Sequence, residues 1–231
     1  MDFVTEQFPD SDPACLDWLI RNYAKPNMVA FELGSYTGKS SLIMLPHIRR
    51  NNGHLYCVDW FQGNPGVYDI NPASDINVSY RNHDILGFLR TNVKQSGYDE
   101  SVTIMVGTTA SAASIVGDEV ADFIFIDADH RYSQIRRDIL DWYPKLKTGG
   151  VMCGHDFDRH LDQCDYNRVL EKCEEDFVDG CHYGVIRAVC EIFPHVANQG
   201  KIWYVEKTRE SQPRRDPVVP RQDASVLPLM R

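Results

Sequence analysis

Val29-Ala30-Phe31-Glu32-Leu33-Gly34-Ser35-Tyr36-Thr37-Gly38-Lys39-Ser40-Ser41 is the stretch that decides the fold. An apolar strand ends in an acid, a tight turn with two glycines follows, and a helix begins at the serines. A joint of this kind brings bare backbone against a nucleotide-like ligand at the carboxyl edge of a sheet. Three ligands compete for it: a dinucleotide, a nucleoside triphosphate and the methyl donor S-adenosylmethionine. A dinucleotide loop wants G-x-G-x-x-G, and Tyr36 stands where its middle glycine belongs. A P-loop wants G-x-x-x-x-G-K-[ST], and Gly34 to Gly38-Lys39-Ser40 is one residue short of it. That residue counts, because the loop wraps a phosphate with consecutive amide donors. S-adenosylmethionine has no phosphate, and its cationic sulfonium suits an acidic strand end such as Glu32. The spacing therefore favours the methyl donor. The P-loop and a plain strand–turn–helix joint are the other readings.

Outward from this joint, strands and helices alternate. Helices are predicted at 12–23, 40–50, 84–97, 109–115, 133–146, 164–177 and, more weakly, 184–193. Strands are predicted at 28–33, 55–59, 102–106, 121–127, 151–154 and 201–205. Ile135, Ile139, Trp142 and Leu146 form one apolar stripe, which Gly149-Gly150 is expected to terminate. The pattern gives an α/β fold: a doubly wound, mostly parallel sheet with helices on both faces. Residues 61–81, rich in Gly, Pro, Asn and Asp, read as a long functional loop. Residues 1–206 make one domain. Residues 207–231, with six basic and three acidic residues and four prolines, read as a flexible tail.

Acids close three strands: Glu32, Asp59 and Asp127. Asp59 lies 27 positions after Glu32, at the end of the next strand, where a carboxylate accepts both ribose hydroxyls. Trp60 beside it is a candidate cover for the adenine, with core packing the other reading. Asp127-Ala128-Asp129-His130 follows a strand apolar enough to be buried on both faces, and Gly154-His155-Asp156 closes the next strand. Carboxylates at neighbouring strand ends are what Mg²⁺ accepts, and His155 shifts that preference toward a transition metal. Asp127, His155 and Asp156 are thus the candidate metal ligands, with capping carboxylates as the alternative. His130 is the candidate general base. The cluster His160, Cys164, Cys173, Cys181, His182 matches no zinc spacing.

The net charge of −9 argues against nucleic acid or an anionic membrane as the main partner. No window is apolar enough to span a bilayer, and the start lacks a secretion signal. Seven cysteines without a C-x-x-C read as reduced thiols in a cytoplasmic protein. A small-molecule substrate is expected, and self-association is left open.

Glu32-x-Gly34-x-Tyr36-Thr37-Gly38-x-Ser40 resembles the first motif of class I S-adenosylmethionine-dependent methyltransferases, which have a Rossmann-like fold. Its form is that of the catechol and caffeoyl-CoA O-methyltransferases, and Phe125-Ile126-Asp127-Ala128-Asp129 is similar to their metal-binding strand end. The run from Asp127 through Tyr132, Gly149-Gly150-Val151 and Gly154-His155-Asp156 looks closer to a bacterial branch, methyltransferase family 24. That branch includes macrocin-type enzymes acting on sugar and antibiotic hydroxyls, and Gly184-Val185-Ile186-Arg187 resembles its later helix. The resemblance spans roughly residues 28–193.

It implies that Glu32, Gly34, Tyr36, Ser40 and Asp59 bind the donor; Ser35, Gly38, Trp60 and Asp127 are further candidates for the same site from their places in the chain. Asp127 is implied as the first metal ligand. His155 and Asp156 stand where the family has an Asp-Asn pair, and His130 where the plant and animal enzymes have a catalytic lysine. Residues 61–81 and 158–182 would wall the substrate. The expectation is an enzyme that methylates a small-molecule hydroxyl with Mg²⁺ assistance. The alternatives are a metal-independent methyltransferase, a P-loop-like hydrolase, or a scaffold that has kept the donor pocket without the chemistry.

Overall fold

The computed structural model describes residues 12–63, 83–210 and 212–215. In chain order the elements are α1 (Asp12–Tyr23), β1 (Val29–Leu33), α2 (Lys39–Arg50), β2 (His54–Asp59), α3 (Ile85–Ser96), β3 (Val102–Val106) and α4 (Thr109–Ile115). Then come β4 (Ala121–Ile126), α5 (Tyr132–Trp142), β5 (Leu146–Gly154), α6 (Tyr166–Lys172), α7 (Tyr183–Ile192), β6 (Ala197–Gln199) and β7 (Ile202–Glu206). One sheet carries the order β3-β2-β1-β4-β5-β7-β6. Strands β1 to β5 pair in parallel, whereas β7 is antiparallel to β5 and β6 to β7. The order reverses between β1 and β4, and such a switch point opens a crevice at the carboxyl ends of the strands.

The period of two along each strand sorts side chains to the two faces. Ala30, Phe123, Phe125, Val151 and Cys153 pack under α1, α2 and α3 with Leu16, Leu45 and Leu89. Phe31, Leu33, Ile124, Ile126 and Met152 face α4, α5 and α7 with Ile135, Trp142 and Val189. Every residue of β4 is buried: Phe123 to Ile126 form its apolar run, and Asp122 near its start is paired with Lys25 and Lys147. Glu32 shares the face of Ala30, which places its carboxylate beneath α2.

Several boundaries differ from the sequence reading. The helix carrying the stripe ends at Trp142, and a 3₁₀ turn at Tyr143–Lys145 leads into β5 at Leu146. Gly149-Gly150 lies inside β5, where Gly149 has φ +78° and the β4–β5 register shifts between Ala121 and Phe123. The glycines absorb a strand irregularity there and do not stop a helix. The helix expected at 164–177 spans only Tyr166–Lys172. Strand β6 is three exposed residues with no apolar signal. Lys207, assigned by the sequence to the tail, is packed: its ammonium donates to the Leu146 carbonyl at 2.5 Å. Most of the long loop, residues 64–82, lies outside the described residues, as do tail residues 211 and 216–231.

Asp138 interrupts the stripe of α5. It is buried, it accepts a hydrogen bond from the Thr109 hydroxyl at 2.5 Å, and burial pushes its carboxyl up to about 7. A raised carboxyl binds more protons folded than unfolded, so its contribution is present below about pH 4 and is lost as pH rises to 7. Asp138→Asn keeps an acceptor for Thr109 and removes the titration. Urea unfolding between pH 4 and 7.5 should therefore show the variant gaining on wild type as pH rises, by up to about 1.4 kcal/mol per pH unit. A pH-independent difference would exclude Asp138 as the cause.

Candidate active site and metal centre

The joint after β1 is held from inside. Glu32 is fully buried; it accepts from the Ser40 hydroxyl at 2.5 Å and from the Ser41 hydroxyl. Burial pushes its carboxyl up to about 7, against the pull of the two serines. Glu32 and Ser40 thus bind each other and fix the start of α2, leaving the backbone of residues 34–38 as the surface of the turn. Asp59 is also buried and raised by burial, while its oxygens accept from the amides of Tyr36 at 2.9 Å and Phe61 at 2.7 Å. It ties the ends of β1 and β2 together, with the amides of Ser35 and Trp60 also directed at it. Ser35 is buried beside it, and the Trp60 indole donates to the Gly63 carbonyl at 2.6 Å.

Gly34 is where the joint meets the next strand end. Its φ is +86°, and a Cβ there would lie 2.1 Å from the Asp127 carbonyl oxygen. The Asp127 amide in turn donates to the Leu33 carbonyl at 2.8 Å. Only glycine allows this approach.

Beyond Asp127 the chain assembles a cluster of carboxylates and imidazoles. His130 Nε2 lies 3.1 Å from Asp156 Oδ2 and 3.5 Å from Asp127 Oδ1. His155 Nδ1 lies 3.3 Å from the same Asp156 oxygen and 3.8 Å from Asp127 Oδ1. Asp156 has φ +59°, a left-handed conformation that aspartate tolerates better than most residues. The sequence-predicted set Asp127, His155 and Asp156 does converge: one donor atom from each lies within 4.8 Å of the others. His130, Asp156 and His182 form a second such group.

Three groups behind the cluster were not foreseen. His130 Nδ1 lies 2.9 Å from Asp176 Oδ1, and His155 Nε2 lies 2.9 Å from Asp12 Oδ2. His182 Nδ1 lies 3.0 Å from Asp158 and 3.4 Å from the outer oxygen of Asp156. Asp12, the first residue of α1, is fully buried. The shortened α6 leaves turns that carry Asp176 back to His130. Gly184 lets α7 seat closely enough to bring His182 in: a Cβ there would sit 2.1 Å from the His130 carbonyl. None of the cysteines belongs to either group.

The electrostatics follow from burial and proximity. Burial alone would lower His155, but Asp127, Asp12 and Asp156 carry it up to about 10. His130 is likewise raised well above its ordinary value by Asp156, Asp127 and Asp176, against burial. Burial would raise Asp156, yet the neighbouring His130 and His155 hold it below the usual carboxylate range.

The model of methyltransferase family 24, described as a methyltransferase domain, matches residues 31–157, over half of the chain. The chain belongs to this family. It is a class I S-adenosylmethionine-dependent methyltransferase, and the turn after β1 belongs to its fold.

Solved structures agree on that fold. TomG from Streptomyces achromogenes, an O-methyltransferase of tomaymycin synthesis in complex with the donor, is 15% identical with a TM-score of 0.57 over 87% of this chain and 82% of its own. The O-methyltransferase NovP is 20% identical, with a TM-score of 0.55 over 85% and 78%. A Corynebacterium glutamicum protein is 17% identical, with a TM-score of 0.60 over 88% and 85%.

Gly34→Ala should push the β1 turn off the Asp127 backbone. The expected result is a loss of more than about 1 kcal/mol in stability. S-adenosylhomocysteine binding by titration calorimetry should be abolished. Wild-type affinity in a folded Gly34→Ala protein would remove this turn from the donor site.

Proposed function

We propose that the enzyme transfers the donor methyl to a hydroxyl oxygen of a small molecule of sugar, phenol or natural-product type, with help from a divalent ion. The observation that carries this reading is the double role of Asp127. Its backbone abuts the donor turn at Gly34, and its carboxylate faces His155 and His130. An acceptor oxygen bound beside that carboxylate therefore sits next to the donor pocket.

In the transfer the acceptor oxygen attacks the methyl carbon, the sulfur–carbon bond breaks, S-adenosylhomocysteine leaves, and the hydroxyl proton passes to solvent water. Holding oxygen, carbon and sulfur in line supplies much of the rate. Asp59, at the end of β2 beside the turn, is the carboxylate that would meet the ribose hydroxyls of the donor. Asp127, His155 and Asp156 would hold the ion, which when bound supplies Lewis acidity that lowers the pKa of the hydroxyl. The buried Nε2 of His130, which among the described residues finds no hydrogen-bond partner, is consistent with a cation in this cluster. The three carboxylates facing His130 raise it well above its ordinary value, which favours its protonated form and works against a role as general base.

NovP and TomG, which share this fold, are both O-methyltransferases, and that supports an oxygen acceptor here. Seven free cysteines support a cytoplasmic setting, and among the described residues no helix is long and apolar enough to cross a membrane.

The test is turnover with radiolabelled donor across a panel of sugars and phenols, with and without excess EDTA. Methylation on oxygen is expected, abolished by EDTA, with kcat reduced at least about a hundredfold in Asp127→Ala. Methylation unaffected by EDTA would end the metal-assisted reading, and exclusive transfer to nitrogen or carbon would end the hydroxyl reading.

A further inference from the structure

We propose that Asp127, His130, His155 and Asp156 form one four-donor centre that selects a first-row transition metal of the zinc type over Mg²⁺, with His130 as a ligand. This deepens the reading above and rests on a divalent ion lying at this strand edge.

The four donor atoms form a closed ring in which imidazole and carboxylate alternate. Its sides are His130–Asp127 at 3.5 Å, Asp127–His155 at 3.8 Å, His155–Asp156 at 3.3 Å and Asp156–His130 at 3.1 Å. Zinc bonds to nitrogen and oxygen of about 2.0–2.2 Å set neighbouring ligands roughly 3.0–3.5 Å apart. The four sides lie near that spacing, and the two imidazoles, which fall in separate donor groups, must also draw toward each other to close a tetrahedron. One oxygen of Asp156, Oδ2, serves both histidines, while the other is faced by His182. His182 is itself held by Asp158, through both its ring nitrogen at 3.0 Å and its amide at 2.8 Å, which keeps it outside the ring.

The second observation is behind the ring. Each histidine points one nitrogen inward and gives the other to a carboxylate: His130 to Asp176 and His155 to Asp12, both at 2.9 Å. A carboxylate in that position takes the ring proton, fixes the tautomer and raises the basicity of the inward nitrogen, as in carboxylate–histidine–zinc triads. A surface ion pair has no use for two such supports. His130 Nε2, the nitrogen left facing Asp127 and Asp156, is buried and among the described residues has no hydrogen-bond partner. As ligands both imidazoles must be neutral, so binding a divalent ion releases their ring protons and balances the two negative charges of Asp127 and Asp156. Mg²⁺ prefers an all-oxygen octahedron and keeps its waters, whereas imidazole suits zinc and its neighbours.

The test uses the full chain, stripped with EDTA and desalted. Added Co²⁺ should bind at one equivalent, with the visible absorption of a nitrogen-ligated low-coordinate site. Zn²⁺ should displace it at stoichiometric concentration, and millimolar Mg²⁺ should not. His130→Ala should alter the Co²⁺ spectrum, and both His130→Ala and Asp176→Asn should weaken Zn²⁺ binding at least tenfold. Melting curves and S-adenosylhomocysteine calorimetry check that each variant is folded. If His130→Ala does not fold, Asp176→Asn carries the test, because it leaves all four donors in place.

Displacement of Co²⁺ by Mg²⁺ at similar concentration would overturn the proposal, as would unchanged Zn²⁺ affinity in a folded variant. Mg²⁺ binding that is indifferent to His130 would sink this inference alone. Failure to bind any divalent ion would sink the metal in both readings, with donor binding measured separately.

Discussion

The contact on which the site depends is that between the backbones of Gly34 and Asp127. Strands β1 and β4 lie at the switch point of the sheet, and their ends must almost touch for the turn after β1 and the carboxylate cluster to share one crevice. The Asp127 amide on the Leu33 carbonyl fixes this distance from below. Asp59 fixes the other flank by holding the Tyr36 amide. Glu32, deep under α2, sets the direction in which the turn leaves the strand. Three acids that look alike in the sequence thus have three different tasks, and which task falls to which is decided by the face each residue occupies.

That division shows what a linear reading can recover. The β1–turn–α2 joint, the buried β4 and the stripe on α5 were legible because local chemistry and periodicity determine them. The convergence of Asp127, His155 and Asp156 was legible because parallel strands deliver their ends to one edge. The direction of Glu32 was legible in principle, since it follows from the alternation with Ala30, but strand-end acids invite a ligand-facing interpretation. Asp12 was not legible: it meets His155 across 143 positions, and nothing local at either end marks the contact. Asp176 and His182 were hidden for a related reason. The end of α6 and the seating of α7 on the His130 backbone are tertiary outcomes, and the helical propensity of residues 164–177 pointed the other way.

The cluster is costly to build. Asp12, His155 and Asp156 are buried, and removing ions from water costs several kcal/mol each unless they are paired and hydrogen-bonded. Each histidine has a carboxylate on both sides, which meets that condition. A chain selected only for stability would more easily fill this volume with apolar side chains, as it does immediately below with Phe123, Phe125 and Ile126. A preorganised, fully partnered polar network at the mouth of an apolar sheet has the character of a functional site held in register by its surroundings.

Where these partners come from in the chain also has a thermodynamic consequence. Asp12 belongs to α1, Asp127 and His130 follow β4, His155 and Asp156 follow β5, and Asp176 and His182 flank the approach to α7. No short segment holds the ring, so it exists only when the sheet and both helical layers are assembled. A ligand of the ring therefore binds the native state and has little purchase on the unfolded chain. Such a ligand stabilises the fold by RT ln(1 + [L]/Kd), about 2.7 kcal/mol at a hundredfold excess over Kd. The same ion that would polarise an acceptor would thus fasten α1 and α7 to the strand ends, coupling the integrity of the substrate wall to occupancy of the centre.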